Sequence, residues 1–401
     1  MKRILFLMSD TGGGHRAAAE AIRAAILANH EAEIKLVDVF RHYSPFPLKY
    51  MPEFYPWLVN HSKSSWGVGY RLLDTSQSAR SAARGLYLTM ESRLKRMLRE
   101  HPADVIVSVH SVITKPSMQA LLSLETRPPY VVVVTDLVTT PMFWYDRRSD
   151  RTLVPTPTAF ERGLKSGLHA DQMRITGLPV HPDFVRQLQG RAEARAHLGW
   201  DPDLPALLIV GGGDGMGPIY RNARALDELG VDFQLAVVAG RNESLKEQLD
   251  ATEWKHRVHV YGFTREMPQM MAGADVLITK AGPGTICEAC IAGLPMIVYD
   301  AIPGQEDGNV LFVTENGAGA FCPSPEEVSA TAAQWLQDGS VKLEALSRAA
   351  QRVARPNAVW DIAEEIWRYA QMGPVENPRR NFLRELQADM ADFARQLTQF
   401  D

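Results

Sequence analysis

The sequence predicts an α/β protein made of two doubly wound parallel-sheet units in tandem. Three observations point there. Short β-branched apolar runs alternate with stretches of helical periodicity. The alternation starts twice, at residues 4–8 and again at 206–210. Each start runs into a triple glycine, Gly12-Gly13-Gly14 or Gly211-Gly212-Gly213, and then into a helix. Strands separated by helices pair in parallel through crossovers.

Each element follows from its residues. Residues 4–8 read as a buried strand, and 16–28 as an Ala-rich helix with Ile22, Ile26 and Leu27 at helical spacing. Residues 34–39, 105–109 and 131–135 read as further strands of the first unit. In the second unit, 206–210, 233–239, 258–260, 276–278 and 296–299 read as strands and 220–229 as a helix. Pro179, Pro182, Pro202 and Pro205 punctuate the junction. The expected limits are 1–182 for the first domain and 183–375 for the second. A helix within 376–401 is expected to pack back on the first.

Composition excludes other classes. The chain has 401 residues, 45% hydrophobic and 22% charged, with a net charge of −4, as in ordinary globular proteins. No apolar run approaches the roughly 18–20 residues of a membrane span. The apolar run 4–8 is too short for a signal segment. Three cysteines give no disulfide framework and suit a reducing compartment. Cys287 and Cys290 form a C-x-x-C without a second pair, so they read as small apolar helix residues rather than zinc ligands. His256 and His259 form an H-x-x-H with no carboxylate base and read as structural.

One segment breaks the pattern. Residues 41–100 hold ten basic and four acidic side chains, a local +6 in a −4 chain. The overlapping stretch 40–70 carries Phe40, Tyr43, Phe46, Tyr50, Phe54, Tyr55, Trp57, Trp66 and Tyr70 among four prolines. Aromatics mixed with Arg and Lys suit a membrane interface carrying anionic lipids. The same aromatics would also suit a buried lid. An insert of about 40–100 in the first domain is therefore expected.

The glycine turns carry the chemistry. In Ser9-Asp10-Thr11-Gly12-Gly13-Gly14-His15-Arg16, a strand meets a helix N-terminus, whose free N–H groups and positive dipole attract anions. His15 at the tip is a candidate general base. Residues 211–217 hold five glycines in seven, a turn that lets phosphate approach the backbone. The richest cluster runs from Lys280 to Asn309. Gly282, Gly284 and Thr285 open a helix that can hold a diphosphate. Glu288 sits one turn in, where a carboxylate can accept both ribose hydroxyls. Gln305 and Glu306 follow the next strand, in reach of sugar hydroxyls. Diphosphate, ribose and sugar in one cleft indicate a nucleotide-sugar.

In combination these motifs resemble the GT-B glycosyltransferases of family 28, the MurG-like family. They are most similar to the monogalactosyldiacylglycerol synthases and processive diacylglycerol glucosyltransferases. The resemblance also rests on Val134-Thr135-Asp136-Leu137 and Thr176-Gly177-Leu178-Pro179-Val180, and it runs to about residue 370. It implies two Rossmann-like domains facing a central cleft. It implies that Phe263 and Thr264 cap the uracil of UDP with Met267 nearby, and that Gly213, Gly282, Gly284 and Thr285 approach the diphosphate. Glu288 would bind the ribose. Gln305 and Glu306 would bind the donor sugar, supported by Asn309. Gly14 and His15 would face the acceptor, with Asp136 a second candidate base and Arg16 and Trp144 at the border. Trp57 and Trp66 would meet the lipid. Pro283 departs from the family pattern and removes one backbone N–H beside the diphosphate.

The implied reaction is inverting transfer of galactose or glucose from a UDP-hexose to diacylglycerol, with no metal and no cofactor. No nucleic-acid partner is expected, and the sequence leaves the oligomeric state open. The expected location is cytoplasmic, at the inner face of the cell membrane. Other readings are transfer to a polyprenyl-linked acceptor, a nucleotide-sugar-binding module without turnover, and a UDP-sugar 2-epimerase.

Overall fold

The computed structural model describes residues 1–11, 14–53, 67 and 74–377. The first half carries β1 (Lys2–Met8), β2 (Ala32–Asp38), β3 (Val105–Ser108), β4 (Thr126–Arg127), β5 (Tyr130–Val133), β6 (Arg151–Val154) and β7 (Met173–Ile175). Six of these form a parallel sheet in the order β2-β1-β3-β5-β6-β7. The second half carries β8 (Ala206–Val210), β9 (Gln234–Val238), β10 (Arg257–Tyr261), β11 (Val276–Lys280), β12 (Met296–Asp300) and β13 (Gly319–Phe321). They form a second parallel sheet in the order β10-β9-β8-β11-β12-β13. Strand order reverses beside β8, and ligands of open α/β sheets bind at such a reversal, beyond the strand C-termini.

Both sheets are covered on both faces, which explains their nearly continuous apolar strands. Along β1, Leu5 and Leu7 enter one core while Ile4, Phe6 and Met8 enter the other. Along β8, Leu208 and Val210 face one way and Leu207 and Ile209 the other. This period of two is the strand's own geometry.

The expected limit at residue 375 falls too late. Helix Ala358–Met372 leaves the second domain and packs on the first sheet. Val359, Ile362, Ala363, Ile366 and Ala370 form its buried stripe, in one cluster with Ile22 and Ile26. Buried Glu365 on this helix pairs with Arg151 and Arg174 of the first domain, at 3.2 and 2.9 Å. Replacing it by Ala strands the Arg151 charge at 12% side-chain exposure. Glu365→Ala is expected to remove about 3 kcal/mol of stability, measured by denaturant unfolding. Beyond the helix, β14 (Val375–Glu376) pairs antiparallel with β4. The terminal helix expected within 376–401 lies outside the described residues.

The segment at 40–100 divides. Trp57 and Trp66 lie outside the described residues. Helix Ser76–Glu100 opens with a capping box, in which Thr75 Oγ1 accepts the Ser78 N–H at 3.1 Å. Its Ala79, Ala83, Tyr87, Met90, Leu94 and Met97 are buried at helical spacing. Arg84, Arg96 and Arg99 are exposed on its outer side, beside a Leu88 that is 65% exposed. Phe40 and Tyr43 are core, whereas Phe46 and Tyr50 are 79% and 51% exposed. The aromatic run is thus partly core and partly surface.

Among the described residues, contacts join the two domains at the 302–308 loop. The Gly308 N–H donates to Thr139 Oγ1 at 3.0 Å. Gly67 is buried where a Cβ would fall 2.9 Å from the Pro303 Cβ, so the insert reaches the second domain's sugar loop.

Candidate active site in the interdomain cleft

On the second domain, two glycine turns lock together. Gly215 (φ 60°) packs where a Cβ would sit 2.0 Å from the Ala239 carbonyl oxygen. At Gly240 (φ 62°) a Cβ would sit 2.5 Å from the carbonyl oxygen of Gly213, which accepts the Arg241 N–H at 2.9 Å. Side chains at either position would force the turns apart. Between the turns and helix Pro283–Ala292 lies a cavity of about 130 Å³, lined by Gly212, Gly213, Phe263, Thr264, Met267, Thr285 and Glu288. Phe263 is 60% exposed at its rim, with the Arg241 guanidinium 5.3 Å over its ring. The structure thus brings together most residues expected around a uridine diphosphate.

Helix Pro283–Ala292 starts with Gly282 as N-cap and Pro283 in its first turn, and stops at Gly293 in the left-handed region (φ 65°). Proline there costs no helical bond, because the first N–H groups have no intrahelical partner. Burial pushes the Glu288 carboxyl up to about 7. Hydroxyl donors from a ligand would favour its ionised form.

The sugar-side residues differ from expectation. Glu306, expected to bind the donor sugar, is 3% exposed and already engaged on both oxygens. Its Oε1 accepts from Lys280 Nζ at 3.0 Å and its Oε2 from the Ile302 N–H at 2.9 Å. It shapes the loop rather than offering a free carboxylate. Asn309, 2% exposed, donates to the Ala281 carbonyl at 2.9 Å and ties that loop to the glycine turn. Gln305 N–H closes the turn onto the Ile302 carbonyl at 3.2 Å.

Across the cleft, His15 begins helix Gly14–Asn29, at the C-terminal end of the first sheet. Gly12 and Gly13 lie outside the described residues. The Thr135 hydroxyl donates to the Val109 carbonyl at 3.4 Å. His15 Nδ1 lies 2.9 Å from the same hydroxyl, and the tautomer with its proton on Nδ1 would leave the Nε2 lone pair free. Burial holds the His15 imidazole down to about 4, so the ring is neutral near pH 7. Trp144, expected at the acceptor border, is fully buried and acts from beneath. Its ring lies 6.2 Å from His15, and its Nε1–H donates to Asp136 Oδ2 at 2.6 Å. Burial raises the Asp136 carboxyl to about 6; the Trp144 hydrogen bond opposes this and the Glu306 charge adds to it. Asp136 therefore feels the sugar loop of the other domain directly. Arg16, also expected at the acceptor, pairs instead with Asp10 at 2.6 Å on the exposed helix face.

His110 was missed. Its ring lies 4.4 Å from His15, its Nε2 bonds Thr11 Oγ1 at 2.8 Å, and its buried Nδ1 has no partner among the described residues. The available signal was its place directly after β3, at the ligand-binding end of the sheet. Lys280 and the Thr135 hydroxyl were missed as well.

Cys287 and Cys290 are free thiols in helix Pro283–Ala292. They face a second, interdomain cavity of about 510 Å³ beyond the Thr139–Gly308 contact. His256 stacks on Phe233 with ring centroids 4.3 Å apart, a packing role. Among the described residues no three His, Cys, Asp or Glu side chains are grouped to hold a metal ion, and no helix is long and apolar enough to cross a membrane.

Comparison with known proteins places this geometry. Residues 15–180 match the monogalactosyldiacylglycerol (MGDG) synthase family model, and residues 206–359 the glycosyltransferase family 28 C-terminal domain. Relatives include a probable MGDG synthase of Glycine max, 40% identical over 91% of this chain and 71% of the relative. MGDG synthase 1 of Arabidopsis thaliana is 39% identical over 91% of this chain and 70% of its own. Among solved structures, MurG of Acinetobacter baumannii superposes with a TM-score of 0.61 at 15% identity, covering 92% of this chain and all (100%) of its own. The S. aureus MnaA–UDP structure gives 0.60 at 14%, covering 92% and 97%. At those identities the likeness is one of fold, which is GT-B. The expected cytoplasmic location at the inner face of the cell membrane is corrected by the relatives, which are chloroplastic proteins. With a relative 40% identical over most of both chains, this protein belongs to the monogalactosyldiacylglycerol synthase family of glycosyltransferases.

Proposed function

We propose that the chain transfers galactose from UDP-galactose to diacylglycerol with inversion, giving β-galactosyl-diacylglycerol. One observation carries the reading. The Asp136–Thr139 stretch of the first domain meets the 302–308 loop of the second, through the Thr139–Gly308 hydrogen bond and the Glu306 charge on Asp136, and the glycine-lined cavity lies in that second domain. The relatives' activity favours galactose over glucose.

In this reading UDP lies in the cavity beside Phe263, with its ribose hydroxyls on Glu288. Its diphosphate meets the N-terminus of helix Pro283–Ala292, whose dipole favours an anion. The lipid hydroxyl donates to His15 Nε2, the free acceptor of the tautomer protonated on Nδ1. Its oxygen attacks the anomeric carbon as the bond to the phosphate oxygen breaks. The proton passes to His15, and the Asp136 carboxylate stabilises the imidazolium that forms. A single displacement turns an α-linked donor into a β-glycoside. Exposed Phe46, Tyr50, Leu88, Arg84, Arg96 and Arg99 suit an anionic lipid surface.

The test is incubation with diacylglycerol vesicles and UDP-galactose or UDP-glucose, with lipid products read by mass spectrometry and the anomer by NMR. A β-galactosyl-diacylglycerol is expected. Transfer only to a polyprenyl-linked lipid, or UDP-sugar epimerisation without a lipid product, would overturn the acceptor. Glu288→Ala is expected to raise the donor KM by roughly 10-fold or more, the value of a charge-assisted hydrogen bond, with the acceptor KM unchanged. Raising salt is expected to release the protein from anionic vesicles, measured by sedimentation.

A further inference from the structure

Proline at position 283 leaves a shortage of diphosphate donors that the helix alone does not make good. Pro283 has no N–H. The Gly282 N–H is used, donating to the Lys280 carbonyl at 2.7 Å. The helix start therefore offers a ligand the N–H groups of Gly284 and Thr285. The diphosphate of a nucleotide-sugar carries about two negative charges, and the departing UDP gains another as the glycosidic bond breaks.

Lys280 stands where that charge would fall. It ends β11, next to the strand reversal at β8. A Cβ at Gly212 in the first turn would lie 3.7 Å from Lys280 Cε. One at Gly282 in the second would lie 3.7 Å from both Cε and Nζ. The ammonium thus occupies the crook between the two glycine turns, with its side chain 19% exposed. Its aim is set by Glu306, whose Oε1 holds Nζ at 3.0 Å while Oε2 is pinned by the Ile302 N–H. An ammonium has three donors, so it can keep Glu306 and still give two to phosphate oxygens.

We propose that Lys280 is the cation that neutralises the donor diphosphate and the charge on departing UDP, and that Glu306 is its positioning residue. This rests on the UDP-sugar reading above. The electron pair of the breaking C1–O bond goes to the phosphate oxygen, beside the Lys280 ammonium. The acceptor oxygen takes its place on C1, and its proton leaves to His15. Glu306 then does two things at once. It shapes the sugar loop through Ile302, and it fixes the cation at the leaving group.

The experiment is calorimetric titration of the full chain with UDP, UMP and uridine. It uses the wild type, Lys280→Ala, Lys280→Arg, and Lys280→Met combined with Glu306→Gln, which leaves no buried unpaired carboxylate. UDP affinity is expected to fall roughly 10- to 100-fold in Lys280→Ala and in the double variant, with uridine affinity unchanged. The advantage of UDP over uridine shrinks accordingly, and Lys280→Arg restores part of it. kcat falls by roughly 10²–10³. Unchanged UDP affinity in Lys280→Ala would overturn the assignment while leaving the donor reading intact. Loss of uridine and UDP in step would overturn it too, by showing that Lys280 only supports the pocket. A wild-type chain that binds no UDP would overturn the donor reading itself.

Discussion

His15→Ala lowers kcat by roughly 10²–10⁴, the usual value of a general base, and leaves the donor KM within a few-fold. The expectation rests on the tautomer. Thr135 Oγ1 lies 2.9 Å from His15 Nδ1 and 3.4 Å from the Val109 carbonyl oxygen; in the proposed tautomer it accepts the Nδ1 proton and the lone pair stays on Nε2. The ring also starts out neutral, because burial holds its pKa near 4. Such an imidazole is a weak base at rest. It gains basicity only as positive charge forms on it beside Asp136 and the diphosphate, so the stabilisation is specific to the transition state. A second variant separates this from a packing role. Thr135→Val keeps the shape but not the acceptor, and should lower kcat while leaving UDP affinity unchanged. Thr135→Ser should restore most of the activity. Steady-state kinetics with vesicle-borne diacylglycerol reads all three. If Thr135→Val has wild-type kcat, the ring is not held by this hydroxyl.

The two-domain plan was legible because it rests on local patterns. A strand, a glycine turn and a helix N-terminus are all written within about twenty residues, and they occur twice. The gathering of Glu288 and the glycines around one cavity was legible for the same reason. What escaped depends on residues far apart in the chain. Helix Ala358–Met372 reads as more of the second domain until its apolar stripe meets Ile22 and Ile26, over three hundred residues earlier. Glu306 looked like a free sugar ligand because Lys280, its partner, lies 26 residues away on another strand. His110 had no motif around it and gains meaning only from the ring of His15 beside it. The aromatic segment was ambiguous because composition cannot separate Tyr43, which is buried, from Phe46, three residues on, which is exposed.

The pH dependence of kcat at saturating UDP-galactose should report Asp136, because Glu288, pushed up to about 7 in the free site, is then held ionised by the ribose hydroxyls. Burial raises the Asp136 carboxyl to about 6, and in the proposed mechanism its ionised form is the one that stabilises imidazolium at His15. Activity is therefore present above about pH 6 and falls as the pH drops through that value and Asp136 takes up a proton. His15 adds no limb there, because it stays neutral down to about pH 4. Asp136→Asn should abolish the limb near 6 and lower the plateau by roughly 10²-fold, as loss of a transition-state charge partner does. Two neighbours should move the limb in opposite directions. Trp144→Phe removes a hydrogen bond to the carboxylate and should shift it to higher pH. Glu306→Gln removes a like charge across the cleft and should shift it to lower pH, whatever it does to kcat through Lys280. The second shift is the more telling, because a residue of one domain tunes an acid of the other only when the cleft is closed as described. A limb that stays in place in Glu306→Gln would mean that the two carboxylates do not face each other in the working enzyme.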